Sequence, residues 1–419
     1  MTISQIFPTI DEKNEKINKN IEIEAETTFL TNLFSFRVLS SNSLLLNFTV
    51  ICMKNDANFT SGETGLLIAG TAMGGIVAFG TLPPIIDIFG LRLVLSFCGI
   101  LSGFVTTALP ELFIYGGFWA IFVIRMIQGF CLMPAMPTIS KVTHNWARDS
   151  EHSIFLTLLS LYMQLGIIIT MPITGWLCNS SYEALLISNS HHKQKKNKKD
   201  ERVPYIKMLT DKAVWACIFV AISSGLSYWL FAQYGPLYMY EVLNYNINST
   251  GIWIAVPYFV SIFSKLLIPL IEYFPKITLW FKIVGVTFIC QLINVLCYVV
   301  LGLFPSSSHL IAQTALIVVL SANGAGFVGL ASNCQVIARQ HAHFILSLVA
   351  LINYLITLIQ PLIIAWIASS KNHEELAKDW SYVFFVYGAI SLCLNILFQE
   401  WNLDLGLDIF LLILKMKKK

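Results

Sequence analysis

Apolar runs of about 20 residues, joined by short polar links, follow one another from position 35 to position 400. At 1.5 Å rise per residue such a run spans the roughly 30 Å hydrocarbon core of a bilayer as a helix. Windows of this length predict helices at 35–53, 64–86, 91–110, 113–139 and 153–176. Six more follow at 213–235, 251–274, 283–304, 309–332, 343–368 and 381–400. A transmembrane barrel would need short alternating segments of about ten residues, and the chain has none of that pattern. The fold class expected is therefore an all-α polytopic membrane protein of about eleven spans, because lipid leaves the backbone no other way to satisfy its polar groups.

Composition agrees and charge adds topology. Charged residues make up 12% of the chain, half the roughly 25% of soluble proteins. The first 33 residues are polar and mixed in charge, without the apolar core of a signal peptide, and read as a disordered cytosolic arm. The run His192–Arg202, "HKQKKNKKDER", holds six of the 27 Lys and Arg residues and should stay cytosolic. With a cytosolic amino terminus, five spans would leave that run on the wrong face. One further helix between Trp176 and His191 would restore it, yet Leu177–Ser188 is too short to cross. The expected plan is thus two six-helix bundles with the sixth helix missing: an arm at 1–33, a bundle at 34–189, a basic linker at 190–212, a second bundle at 213–401 and a tail at 402–419. A re-entrant Leu177–Ser188 segment is the structural alternative. On the twelve-helix topology the sequons at Asn58, Asn179 and Asn248 all fall outside and become candidate glycosylation sites, whereas Asn47 sits inside the first span.

Nine scattered cysteines, mostly in apolar runs, show no paired or metal-ligand spacing and read as free buried thiols; no cofactor or metal is expected. The net charge of +3 implies no nucleic-acid partner, since the basic residues flank membrane segments. Paired carboxylates or a nucleophile constellation at membrane depth are missing, which argues against an enzyme.

Two repeated bundles around a midplane site is the plan of many secondary transporters. The loop "PPIIDIFGLR" (Pro83–Arg92) resembles the Asp-x-x-Gly-x-Arg loop of the major facilitator superfamily, with Asp87 and Arg92 at the acidic and basic positions and Ile88 where a basic residue is usual. The resemblance implies that Asp87 and Arg92 gate one conformer; from the local sequence alone an ordinary capped turn is the other reading. The run Arg125 to Trp176, with Arg125, Gln128, Gly129, Pro137, Trp146, Ala147 and Glu151, resembles the anion:cation symporter branch of vesicular glutamate transporters, sialin and sodium–phosphate cotransporters. "AVPY" (Ala255–Tyr258), Asn353 with Pro361, and "DWSYVFFVYGA" (Asp379–Ala389) continue it, and "LNFTVICM" (Leu46–Met53) is similar to nematode members. Other charged positions of the branch fall here on Leu45 or Leu46, Ile68, Leu132 and Ser224.

Arg125 and Lys265 are the two cations placed deep within spans. A charge there costs about 3 kcal/mol or more and normally faces a cavity or a partner. A guanidinium fits a carboxylate or phosphate, so Arg125 reads as an anion clamp, with Gln128 on the same helix face; a structural arginine on backbone carbonyls is the bland reading. Lys265, in the inner half of its span, reads as a snorkelling lysine. Tyr258 and Asn353 rank first among polar residues of the second bundle because they match branch positions. Tyr228, Gln233, Gln291, Asn294 and Asn323 read as helix–helix hydrogen bonds, and Trp215, Trp229 and Trp253 as interfacial anchors. The function expected is secondary transport of a small organic anion or inorganic phosphate by alternating access, across a plasma or vesicle membrane, with sodium or a proton as the possible coupling ion. The alternative is a non-transporting truncated or splice variant acting as a membrane interaction protein.

Overall fold

The structure is a computed structural model that describes residues 61–146, 152–180, 210–272, 281–305, 309–338, 342–368 and 373–417. The first expected span, Asn58 and the region 181–209, where the sixth helix would stand, lie outside the described residues.

The described chain is helical throughout its spans. Helices α1 (Ser61–Phe89), α2 (Leu91–Thr107), α3 (Leu109–Leu132), α4 (Ala135–Trp146), α5 (His152–Ser160) and α6 (Tyr162–Ser180) form the first group. The second comprises α7 (Lys212–Glu241), α8 (Ile247–Glu272), α9 (Val286–Leu303), α10 (His309–Ala338), α11 (Ala342–Ile367) and α12 (His373–Lys417). Nine runs among the described residues are long and apolar enough to cross a membrane, and α2 adds a shorter one, Leu93–Thr107. Two expected spans are broken. Pro134, which has no N–H to donate, interrupts 113–139 between α3 and α4, and Gly117 at φ 60° kinks α3 earlier in the same span. The span 153–176 breaks at Leu161, whose N–H reaches back to Leu158 O in a tightened turn. At the other end, α12 carries on as helix through Lys417 into the expected tail.

Local chemistry sets several boundaries. Gly90 alone links α1 to α2 at φ 80°, a left-handed conformation that only glycine adopts without strain. Asp211 caps α7, its Oδ1 accepting from Ala213 N at 2.9 Å.

Inside the first group α1 packs tightly on α3. A Cβ at Gly74 would strike the Met126 carbonyl, and one at Gly129 would strike the Thr71 carbonyl. In the second group α7 lies against α10, α11 and α12, and α9 bridges α10 to α12. The two groups meet along two seams, α1 on α11 and α6 on α8. Ile68, Ile167 and Met171 join Leu226, Tyr258 and Leu316 in one shared core, while Ile139, Leu156 and Leu159 join Ala331, Leu346 and Val349 in another. Outward faces such as Leu93, Phe97, Ile100 and Phe104 of α2 stay exposed and apolar, which suits contact with lipid tails.

Candidate functional site

The two in-span cations have different surroundings. Arg125 on α3 is 1% exposed. Its Nε donates to Leu67 O of α1 at 3.0 Å and its Nη1 to Gln128 Oε1 at 3.4 Å. Gln128 Nε2 donates in turn to Thr106 Oγ1 of α2 at 2.8 Å, and Thr106 donates to Ser102 O at 2.7 Å. Gly70 lets α1 come this close, because a Cβ there would sit 3.0 Å from Arg125 Cβ. The pair Arg125–Gln128 foreseen in the sequence therefore exists, and it ties three helices of the first group together.

Lys265 on α8 does not snorkel. It is also 1% exposed, and its ammonium reaches across the seam to the first group. Its Nζ donates to Ser160 O at 3.1 Å, Ser160 Oγ at 3.0 Å and Gln164 Oε1 at 3.0 Å. Ser160 is the last residue of α5, so the cation meets the negative end of that helix at the break in the span. The Phe327 ring of α10 lies 5.2 Å from Nζ, within cation–π range. Gly324 makes room for the lysine stem, since a Cβ there would approach Lys265 Cγ at 3.3 Å.

Lys265 lines a small cavity between the two groups. Met136, Met163 and Gln164 line it from the first group; Ser224, Tyr228, Trp229, Asn323 and Asn353 do so from the second. Of Arg125, Gln128, Tyr258 and Asn353, the substrate contacts expected from the sequence, Asn353 lines the cavity directly. Tyr258 is fully buried one layer behind, its ring edge-on to Tyr228 at 6.0 Å. Arg125 and Gln128 are not among the lining residues. Trp229, expected as an interfacial anchor, instead forms cavity wall, while Trp215 and Trp253 are partly exposed as anchors should be.

Of the expected helix–helix hydrogen bonds, those of Gln291, Asn294 and Asn323 are present, whereas Gln233 Oε1 is buried without a partner. Gln291 Oε1 accepts from Ser223 Oγ at 2.9 Å, and Asn323 Oδ1 accepts from Asn294 Nδ2 at 3.0 Å. The Asn323 amide nitrogen is buried without a hydrogen-bond partner, and Asn323 is one of the residues lining the cavity. Asp87 stands in the last turn of α1 and Arg92 in the first of α2, either side of Gly90, with side chains outside the described ones. Asn179 and Asn248 fall in the terminal turns of α6 and α8, also with undescribed side chains. Thr250 of the third sequon is buried and donates to Asn246 O at 3.0 Å. No group of three or more His, Cys, Asp or Glu residues that could hold a metal occurs among the described residues.

The model of the Major Facilitator Superfamily matches residues 31–355. The chain belongs to the major facilitator superfamily. Among its relatives, sialin of Ovis aries is 24% identical over 72% of this chain and 68% of its own length. An uncharacterized transporter of Caenorhabditis elegans is 25% identical over 49% of this chain and 46% of its own. Vesicular glutamate transporter 1 of Xenopus tropicalis is 20% identical over 64% of this chain and 53% of its own. These similarities agree with the resemblance to the anion:cation symporter branch of the superfamily. A bacterial homologue of the human lysosomal transporter Spinster, solved inward-facing and occupied, superposes with a TM-score of 0.65 at 12% identity, covering 90% of this chain and 96% of that one. The protein is a multi-pass membrane transporter of this superfamily and not an enzyme.

Sequence reasoning missed Gln164 and undervalued Lys265. The available signal was Ser160 and Gln164 four residues apart on one helix face of an apolar span. Nothing local, however, tells which distant helix that face meets.

Proposed function

We propose that this protein carries a small organic anion or inorganic phosphate across a membrane by alternating access. The observation that carries the reading is the inter-bundle cavity, walled by both halves and holding a buried ammonium whose hydrogen-bond acceptors are all uncharged. Regions 34–189 and 213–401 are the units that would rock about it, a motion that needs the seams to open at one end at a time.

Arg125 remains the proposed anion contact of the first bundle, with Gln128, Tyr258 and Asn353 as companions. Support for the set is unequal. Asn353 borders the cavity, Tyr258 backs it through Tyr228, and the Arg125–Gln128 pair sits beside α1. Asp87 and Arg92 are proposed to stabilise one conformer at the α1–α2 turn. Asn58, Asn179 and Asn248 are proposed to be glycosylated, which would put their termini outside and the amino terminus in the cytosol. The host membrane would be the plasma membrane or a vesicle, with sodium or a proton as coupling ion.

The test is uptake by full-length protein in proteoliposomes, using radiolabelled benzoate, glutamate and orthophosphate with imposed sodium or pH gradients. Saturable uptake of at least one anion is expected. Uptake of none of them by protein that is monodisperse and folded would refute the transporter reading. Uptake unchanged by Arg125→Ala would remove Arg125 from the substrate site while leaving transport in place.

A further inference from the structure

Resting on that reading, we infer that Lys265 and Asn323 form an anion subsite in the second bundle, selective for an organic monocarboxylate with an apolar body. Three independent features meet there. The first is the cation. The Lys265 ammonium is held off the membrane surface although α8 ends only seven residues later, roughly 10 Å along the helix. Its three acceptors are a carbonyl, a hydroxyl and an amide oxygen. Neutral acceptors repay only part of the cost of burying a charge, whereas an anion at hydrogen-bond distance repays much more.

The second is an unanswered donor. Asn323 is 4% exposed, its Oδ1 is engaged by Asn294, and its Nδ2 has no partner although it belongs to a residue lining the same cavity. A buried amide N–H left unpaired costs about 1–3 kcal/mol, which a carboxylate oxygen would recover. The ammonium and this amide supply two donor types on the packed helices α8 and α10, from two residues that line the same cavity.

The third is the wall. Met136, Met163, Trp229, Phe327 and Leu330 make most of the remaining lining apolar, and none of the described lining residues is Asp or Glu. One cation and one amide suit a single negative charge. The apolar wall favours a substrate with a hydrocarbon or aromatic body over fully hydrated inorganic phosphate, which would arrive with about two charges and no apolar surface. Since all of the bonds from Lys265 reach the opposite bundle, an anion that takes over the ammonium also removes a tie across the seam. Binding and release of that tie are thereby coupled.

The experiment uses full-length protein in proteoliposomes, with radiolabelled benzoate as probe and orthophosphate as competitor. Wild type should take up benzoate saturably, with orthophosphate a poor competitor. Lys265→Met, close in size and uncharged, should weaken the apparent benzoate affinity by about tenfold or more while its melting temperature holds or rises, because it removes a buried charge held only by neutral groups. Lys265→Arg should keep most of the affinity, and Asn323→Leu should lower it about threefold or more. Benzoate handling identical to wild type in Lys265→Met overturns the subsite. So does uptake of orthophosphate with no uptake of benzoate, which leaves the broader transporter reading standing. Should Lys265→Met fail to fold, unchanged benzoate affinity in Asn323→Leu overturns the subsite by itself. Absence of uptake of every anion by wild type is the separate outcome that removes the transporter reading.

Discussion

Arg125 and Lys265 are each 1% exposed and each sit within a span, yet one is tied inside a bundle and the other between bundles. The bonds from Arg125 and its neighbour Gln128 run to Leu67 and Thr106 on helices of the same group. Those from Lys265 run to Ser160 and Gln164 on the other group. A bond within a rigid unit braces that unit and is the same in every conformer. A bond across a seam must be made and broken whenever the halves move. If the halves rock as proposed, the ties of Lys265 must be remade in each cycle while those of Arg125 and Gln128 to Leu67 and Thr106 persist, whether or not Arg125 also meets the substrate.

The largest effect is expected at the packing beneath Arg125. Gly129→Val places side-chain carbon into the Thr71 carbonyl, and the backbones must separate. A loss of about 3 kcal/mol or more is expected, read as collapse of monodisperse expression. Next comes Arg125→Met, which strips donors from Leu67 O and Gln128 and should cost about 2–4 kcal/mol in thermal or denaturant stability. A matching loss in Lys265→Met would erase the distinction between the two cations.

The seam itself sharpens the contrast. A Cβ at Gly75 would sit 2.5 Å from the Tyr354 ring, so Gly75→Val wedges α1 from α11. Transport should fall about tenfold while stability changes by less than about 2 kcal/mol, since bundle interiors are untouched. The smallest effect is expected at Gly99 on α2, where nothing lies within 4 Å of an added Cβ. Gly99→Ala should raise stability by about 0.5–1 kcal/mol through helix propensity, with transport unchanged.

Much of the fold could be read from apolar run length. The ten expected spans that lie within the described residues all correspond to helix, although 113–139 is interrupted at Gly117 and at Pro134 and 153–176 at Leu161. The break at Pro134 was visible as a missing N–H. The break at Leu161 carried no comparable local mark, and it matters more because it ends α5 at the carbonyl that Lys265 meets. Candidate-site residues were legible unevenly. The Arg125–Gln128 pairing follows from i, i+3 spacing and is present at 3.4 Å. Asn353 was picked by resemblance and does border the cavity, but Trp229 was assigned to the interface by residue type and is cavity wall.

The sequence alone determined that this protein spans a membrane as helices, that two cations stand at depth, and that its motifs resemble anion-carrying transporters. Those properties are local: lipid forces each segment to satisfy its own backbone, and a run of about 20 apolar residues declares itself without reference to any other. Tertiary structure decided which cation faces the space between the bundles. Lys265 meets Ser160 across 105 positions of chain. Helix faces that distant are brought together by packing of small residues and by the pairing of α6 with α8, so no window along the sequence could contain that contact.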